Sequence, residues 1–92
     1  MPATLTRAPD ETRARRARLL QLHHELSLRH FHSRLVRRRR TRWALKVGRH
    51  TVYCAGADGV YAYVTRQGLL LSPADQNGIA AAASRLTERG MK

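Results

Sequence analysis

The residues best suited to chemistry in this 92-residue chain are arginines. Arg34, Arg37, Arg38, Arg39, Arg40 and Arg42 put six guanidinium groups into nine residues, with Trp43 directly behind them. Like charges at that density repel one another unless an anion offsets them, and a guanidinium offers two parallel N–H donors that match phosphate oxygens. The pattern points to contact with the phosphate backbone of DNA or RNA. A charge run can also be a solvated connection, and a GC-rich genome enriches arginine whatever the function. The density of this run and its adjoining aromatic weigh toward phosphate.

Other candidate groups follow the run. Tyr53, Tyr61 and Tyr63 are expected on one sheet face with Arg42 and Lys46, where the rings would form a stacking platform for unpaired bases beside a basic rim. The same spacing fits a half-buried cross-strand aromatic cluster, because Leu69 and Leu71 are expected to point to that face too. Arg49 and His50 fall at a hairpin tip, within reach of a phosphate. His23, His24, His30, His32 and His50 are numerous, but no pair on the first helix has the four-residue separation that aligns two imidazoles. No acid or cysteine completes a set, so neither a metal nor another cofactor is expected.

Gly48-Arg49-His50-Thr51-Val52-Tyr53, followed by Asp58-Gly59, resembles the Gly-Ser-His hairpin of HicA-type messenger-RNA-cleaving toxins. The resemblance implies a double-stranded-RNA-binding-like fold of helix, three strands and helix, with His50 as the catalytic residue. Arg49 stands where that family has serine, and the family's second Pro-x-His segment after the hairpin is absent. General acid-base cleavage needs a second group at defined geometry, and the sequence shows none, so a binder without enzymatic activity is expected.

Charge bounds the partner further. Lysine and arginine number 18 against 6 acids, a net charge of +12. Residues 1–42 hold twelve basic and three acidic side chains, while residues 43–92 hold six and three, so the field comes mainly from the N-terminal half. Such a field attracts nucleic acid, and equally an acidic protein surface or a nucleoprotein machine, which leaves a small interaction or inhibitor protein as the alternative. Cys54 is the only cysteine, which rules out an intrachain disulfide and a cysteine metal cluster and fits a reducing cytoplasm. No apolar stretch has the length of a secretion signal or a membrane span.

The elements that must position these groups fit a single small domain. Residues 1–9 read as a flexible arm and residues 10–92 as one α+β domain, with the arginine-rich stretch 34–42 as a connection. Asp10 is the expected N-cap of a helix that runs from about Glu11 to at least His30. Leu19, Leu22 and Leu26 share one face of it, while Leu20, Leu28, Phe31 and Leu35 lie toward the other. Two apolar sides require a homodimer mate packed through Leu19, Leu22 and Leu26, another protein, or a helix break near residues 29–33.

From Trp43 the apolar period becomes two, as in a strand. A Gly48-Arg49 turn would set Leu45 opposite Val52 and Trp43 opposite Cys54. A three-residue loop at Gly56–Gly59 would then face Tyr53 toward Tyr61 and Tyr63. Arg66-Gln67-Gly68 reads as a second three-residue loop before a short strand, Leu69–Leu71. Ser72 is the expected N-cap of the last helix, with Pro73 at its first position and Asp75 completing the cap. Gly78 would weaken that helix by about 1 kcal/mol unless a close contact requires it, and Gly90 is the expected stop. The order is helix, a three- or four-stranded antiparallel meander, helix.

Overall fold

In the computed structural model, which describes residues 8–40 and 42–87, helix α1 spans Ala8–Leu28. It opens with Pro9 in its first turn, where the missing N–H costs no intrahelical bond. The helix therefore begins before the expected Asp10 cap, and Ala8 and Pro9 belong to it rather than to an arm. The rest of that arm, residues 1–7, lies outside the described residues, as does the Asp10 side chain.

The end of α1 resolves the problem of its two apolar sides. His30 adopts φ 61°, the Phe31 N–H donates to the Leu26 carbonyl at 2.8 Å, and the His30 N–H donates to the Ser27 carbonyl at 2.9 Å. These crossed bonds form a Schellman cap with histidine, not glycine, at its left-handed position. The break turns Phe31 and Leu35 back onto the core, leaving Leu20 and Leu28 exposed. Leu19, Leu22 and Leu26 are at most 1% exposed inside this chain's own core, so the expectation that they meet a homodimer mate is corrected. A 2.6 Å hydrogen bond between His23 Nδ1 and Ser33 Oγ pins the crossing segment to the helix.

Five strands follow: β1 (Arg34–Arg39), β2 (Arg42–Val47), β3 (His50–Ala57), β4 (Val60–Thr65) and β5 (Leu70–Pro73). They pair antiparallel in chain order, an α+β meander of five strands where three or four are expected. The additional strand is the arginine run, which is therefore not a connection. Leu35 packs on the core and Arg37 lies opposite Trp43, while the edge position leaves the remaining charges in water, where they also protect the edge from pairing with another chain.

Two registers differ from expectation. Leu45 does pair with Val52, but the β2–β3 ladder holds only three pairs beside the Gly48-Arg49 turn and does not reach Trp43 and Cys54. The next connection is a two-residue turn in which Asp58 and Gly59 both have positive φ, 53° and 84°, the type I′ geometry that Asp-Gly favours. Ala57 then pairs with Val60 and Tyr53 with Val64. Shortening the loop by one residue sends Tyr53 to the opposite sheet face from Tyr61 and Tyr63.

Helix α2 (Gln76–Thr87) starts later than expected, since Ser72 and Pro73 pair with Tyr63 and Ala62 at the free edge formed by β5. Asp75 is the cap: its Oδ1 accepts the Gly78 N–H at 2.7 Å. A side chain at Gly78 would collide with the Pro73 carbonyl oxygen, so the glycine answers a close contact. The expected stop at Gly90 lies outside the described residues. Both helices cover the same face of the sheet, packing Leu19, Leu22, Leu26, Ala82, Ala83 and Leu86 against Leu45, Val52 and Tyr63. Arg29 clasps them together, donating to Glu25 on α1 and, at 3.0 Å, to Ser84 Oγ on α2.

Candidate nucleic-acid interface

Strand alternation puts Leu35, Leu45 and Val52 toward the helices and Arg34, Arg42, Lys46 and Tyr53 on the other face. The register of β1 against β2 slips between Arg37 and Arg39, a bulge that inserts Arg38 as an extra residue. Successive side chains on a regular strand point to opposite faces, and the bulge allows Arg38 and Arg39 to line one recess. That recess, of about 370 Å³, is completed by Arg42, Tyr53 and Arg66, four cations around one aromatic ring with no acid among them. The Arg42 guanidinium carbon lies 4.4 Å from the Tyr53 ring centroid. Arg66 is held in place by its backbone N–H, which donates to the Thr51 carbonyl at 3.0 Å.

Arg37 has a different task. Its Nε and Nη2 donate to the carbonyls of Arg39 and Arg40 at 3.3 and 2.8 Å, and its guanidinium carbon lies 5.8 Å from the Trp43 centroid. It shapes the hairpin turn, while Arg40 stays exposed on that turn. In the sequence, the four arginines within Arg13–Arg18 stand out only as net charge. The fold brings three of them to the sheet. Arg16 lies 4.8 Å from the Trp43 centroid, Arg18 lies 5.4 Å from that of Tyr61, and Arg15 Nε donates to the Gly56 carbonyl at 3.0 Å. Four arginines in six helical residues, with pairs three apart on one face, was the available signal.

The remaining candidates do not join the recess. Arg34 pairs with Lys46, whose Nζ donates to Thr51 Oγ1 at 3.4 Å, and His50 pairs with Val47 next to the exposed Arg49. This end of β2 is about 17 Å from Arg42, at roughly 3.3 Å per residue. The expected three-tyrosine platform does not form. Tyr63 is fully buried and its hydroxyl donates to the Arg18 carbonyl at 2.6 Å, while the Tyr61 hydroxyl donates to Glu11 Oε1 at 2.7 Å. Of the three, Tyr53 alone lines the recess with Arg38, Arg39, Arg42 and Arg66.

Protonation follows these partners. The Tyr61 hydroxyl, and next the Asp58 N–H at 3.1 Å from Oε2, hold the Glu11 carboxyl below its ordinary value, and the same contact with Glu11 raises Tyr61. Burial raises Tyr63, and burial pushes the Cys54 thiol up to about 11, so at neutral pH it is a thiol and not a nucleophilic thiolate. Among the described residues, no group of three or more histidine, cysteine, aspartate or glutamate side chains is placed to hold a metal ion. No described helix is long and apolar enough to cross a membrane.

Fold and site together define a small, strongly basic α+β protein whose arginines gather on the uncovered face of an antiparallel meander and along the first helix. Comparison with known proteins adds no narrower class: no family model, no curated protein and no solved structure matches the chain.

Proposed function

We propose that this protein binds nucleic acid through its phosphate backbone and acts by binding rather than by turnover. The observation that carries the reading is the recess in which Arg38, Arg39, Arg42 and Arg66 converge on Tyr53 with no acidic neighbour. Phosphates entering there relieve the mutual repulsion of the guanidinium groups and accept their paired donors. Arg34, Arg40 and Lys46 extend the positive surface along the same hairpin, and the +12 net charge supplies long-range attraction. His50, the residue that the resemblance to the toxins makes catalytic, lies at the far end of β2 from the recess, which favours binding without cleavage.

The test is a salt series. If the four recess arginines each neutralise one phosphate, log affinity falls against log salt with a slope of about −3.6 on duplex DNA and about −2.8 on single strands. Replacing Arg38, Arg39, Arg42 and Arg66 together with glutamine removes most of that slope while the circular dichroism spectrum is retained. Unchanged binding and slope in this folded variant would overturn the reading.

A further inference from the structure

The sheet is divided in a way that the phosphate contacts do not use. The β1–β2 ladder extends to Arg39 and Arg42, and the β3–β4 ladder extends to Ala57 and Val60, yet β2 and β3 are joined only from Leu45 and Val52 to the turn. Beyond that point the two hairpins part. The gap is a cleft of about 350 Å³, with Arg42 and Trp43 of β2 on one side, Tyr53, Cys54, Ala55 and Gly56 of β3 on the other, and Thr12 and Arg15 of α1 lining it from the helix side. Trp43 is held by Arg16 and Arg37, at 4.8 and 5.8 Å from its ring centroid. Tyr53, carrying Arg42, lines the gap from the uncovered face of the sheet, and Trp43 lines it from the helix-covered face.

We propose that this cleft takes the base of one unpaired nucleotide, with Arg15 and Arg42 meeting the phosphates on its two sides, so that the protein selects single-stranded nucleic acid over duplex. The inference rests on the nucleic-acid reading above and narrows it. The volume lies within the range of small-ligand sites. A planar base enters edge-on between two strands whose main chains are not laddered to each other, where it meets Trp43 on the helix-covered side of the sheet and Tyr53 with its Arg42 on the uncovered side. A base inside a duplex reaches such a slot only by leaving its stack and its partner. The cations stand at the cleft on both sides of the sheet, Arg15 from the helical side and Arg42 from the uncovered side, so a phosphate on either side of the inserted base meets a guanidinium. Contact with an aromatic ring tolerates any base, which suits general single-strand binding.

Trp43 is the only tryptophan, so its fluorescence reports on the cleft directly. The full chain is titrated at one salt concentration with a mixed-sequence single-stranded 12-mer and with the blunt duplex of the same sequence, following both Trp43 emission and anisotropy of a labelled strand. Single strands are expected to bind at least fivefold tighter, about the lower limit for one stacked base, and to change Trp43 emission where the duplex does not. Ala55→Phe, at an exposed strand position on the cleft wall, is expected to fill the slot and abolish the preference and the emission change while keeping the salt slope. Arg15→Gln is expected to weaken single-strand binding several-fold and leave duplex binding alone, and it decides the matter if Ala55→Phe fails to fold. Equal affinity for the two nucleic acids, or a folded Ala55→Phe variant with the wild-type preference, overturns the proposal. In those cases retained salt-dependent binding keeps the phosphate reading, whereas failure to bind either nucleic acid discards both.

Discussion

The Arg42 guanidinium, 4.4 Å from the centroid of the Tyr53 ring, joins the arginine hairpin to its neighbour at a point where their main chains have separated. An exposed cation–π contact of this kind contributes about 0.5–1 kcal/mol. Tyr53→Ala is expected to lower stability in urea by about that amount plus the lost ring packing, and Tyr53→Phe to restore most of it. Equal stabilities for the alanine and phenylalanine variants would show that the ring does not hold the hairpins together.

The arginines of the run divide into two kinds. Arg37 is spent on the carbonyls of Arg39 and Arg40, whereas Arg38 and Arg39 line the recess. Arg38→Gln and Arg39→Gln should each reduce the magnitude of the salt slope by about 0.7–0.9 with little change in melting temperature. Arg37→Gln should do the reverse, lowering the melting temperature and leaving the slope nearly intact. Anisotropy titrations at four salt concentrations, alongside thermal melts, separate the two patterns.

Leu22 and Leu26 are fully buried between α1 and the sheet. Leu22→Ala is expected to cost about 2–5 kcal/mol, and the double change to arginine to unfold the chain rather than to release a folded monomer. Circular dichroism distinguishes these outcomes, since a folded double-arginine variant would place the leucines at a surface.

Alanine is the better helix former by about 1 kcal/mol, so on propensity alone Gly78→Ala would stabilise α2. The Pro73 carbonyl occupies the space that the new methyl group needs, and backbone cannot rotate aside as a side chain can. The expected result is a net loss of about 1–3 kcal/mol in urea unfolding. A gain would mean that the β5–α2 junction relaxes freely.

Glu11 and Tyr61 make stability depend on pH at both extremes. The folded carboxyl titrates below its ordinary 4.5, so its contribution is complete above that value and is lost as the pH falls through the lower folded value. The Tyr61 hydroxyl is raised above its ordinary 10.0, so its contribution is complete below pH 10 and is lost as the pH rises through the higher folded value. Wild type should therefore exceed Glu11→Gln in stability at neutral pH, with the difference shrinking below pH 4.5. A difference constant from pH 7 to pH 3 would remove Glu11 from this role.

Much of the architecture is determined by short-range pattern. The leucines of α1, the two-residue period from Trp43 and the Gly48-Arg49 turn fix the element types, because helix and strand periodicities depend on near neighbours only. The density of arginine likewise marks a polyanion surface without knowledge of the fold. Tertiary structure decided where each group points. Arg34–Arg39 became a strand because an edge position beside Trp43 lets Leu35 reach the core while the charges stay in water, a condition set by another segment. His30 ends α1 in a left-handed conformation that any residue but glycine enters at a cost, and the capping hydrogen bonds together with the packing of Phe31 behind it offset that cost. One residue less in the Asp58-Gly59 turn turned Tyr53 away from Tyr61 and Tyr63 and toward Arg42, since strand side chains alternate and a register shift of one exchanges the faces. The bulge at Arg38 and the parting of β2 from β3 are mismatches between neighbouring strands, so no single segment encodes them, and the recess and the cleft exist only where those mismatches fall.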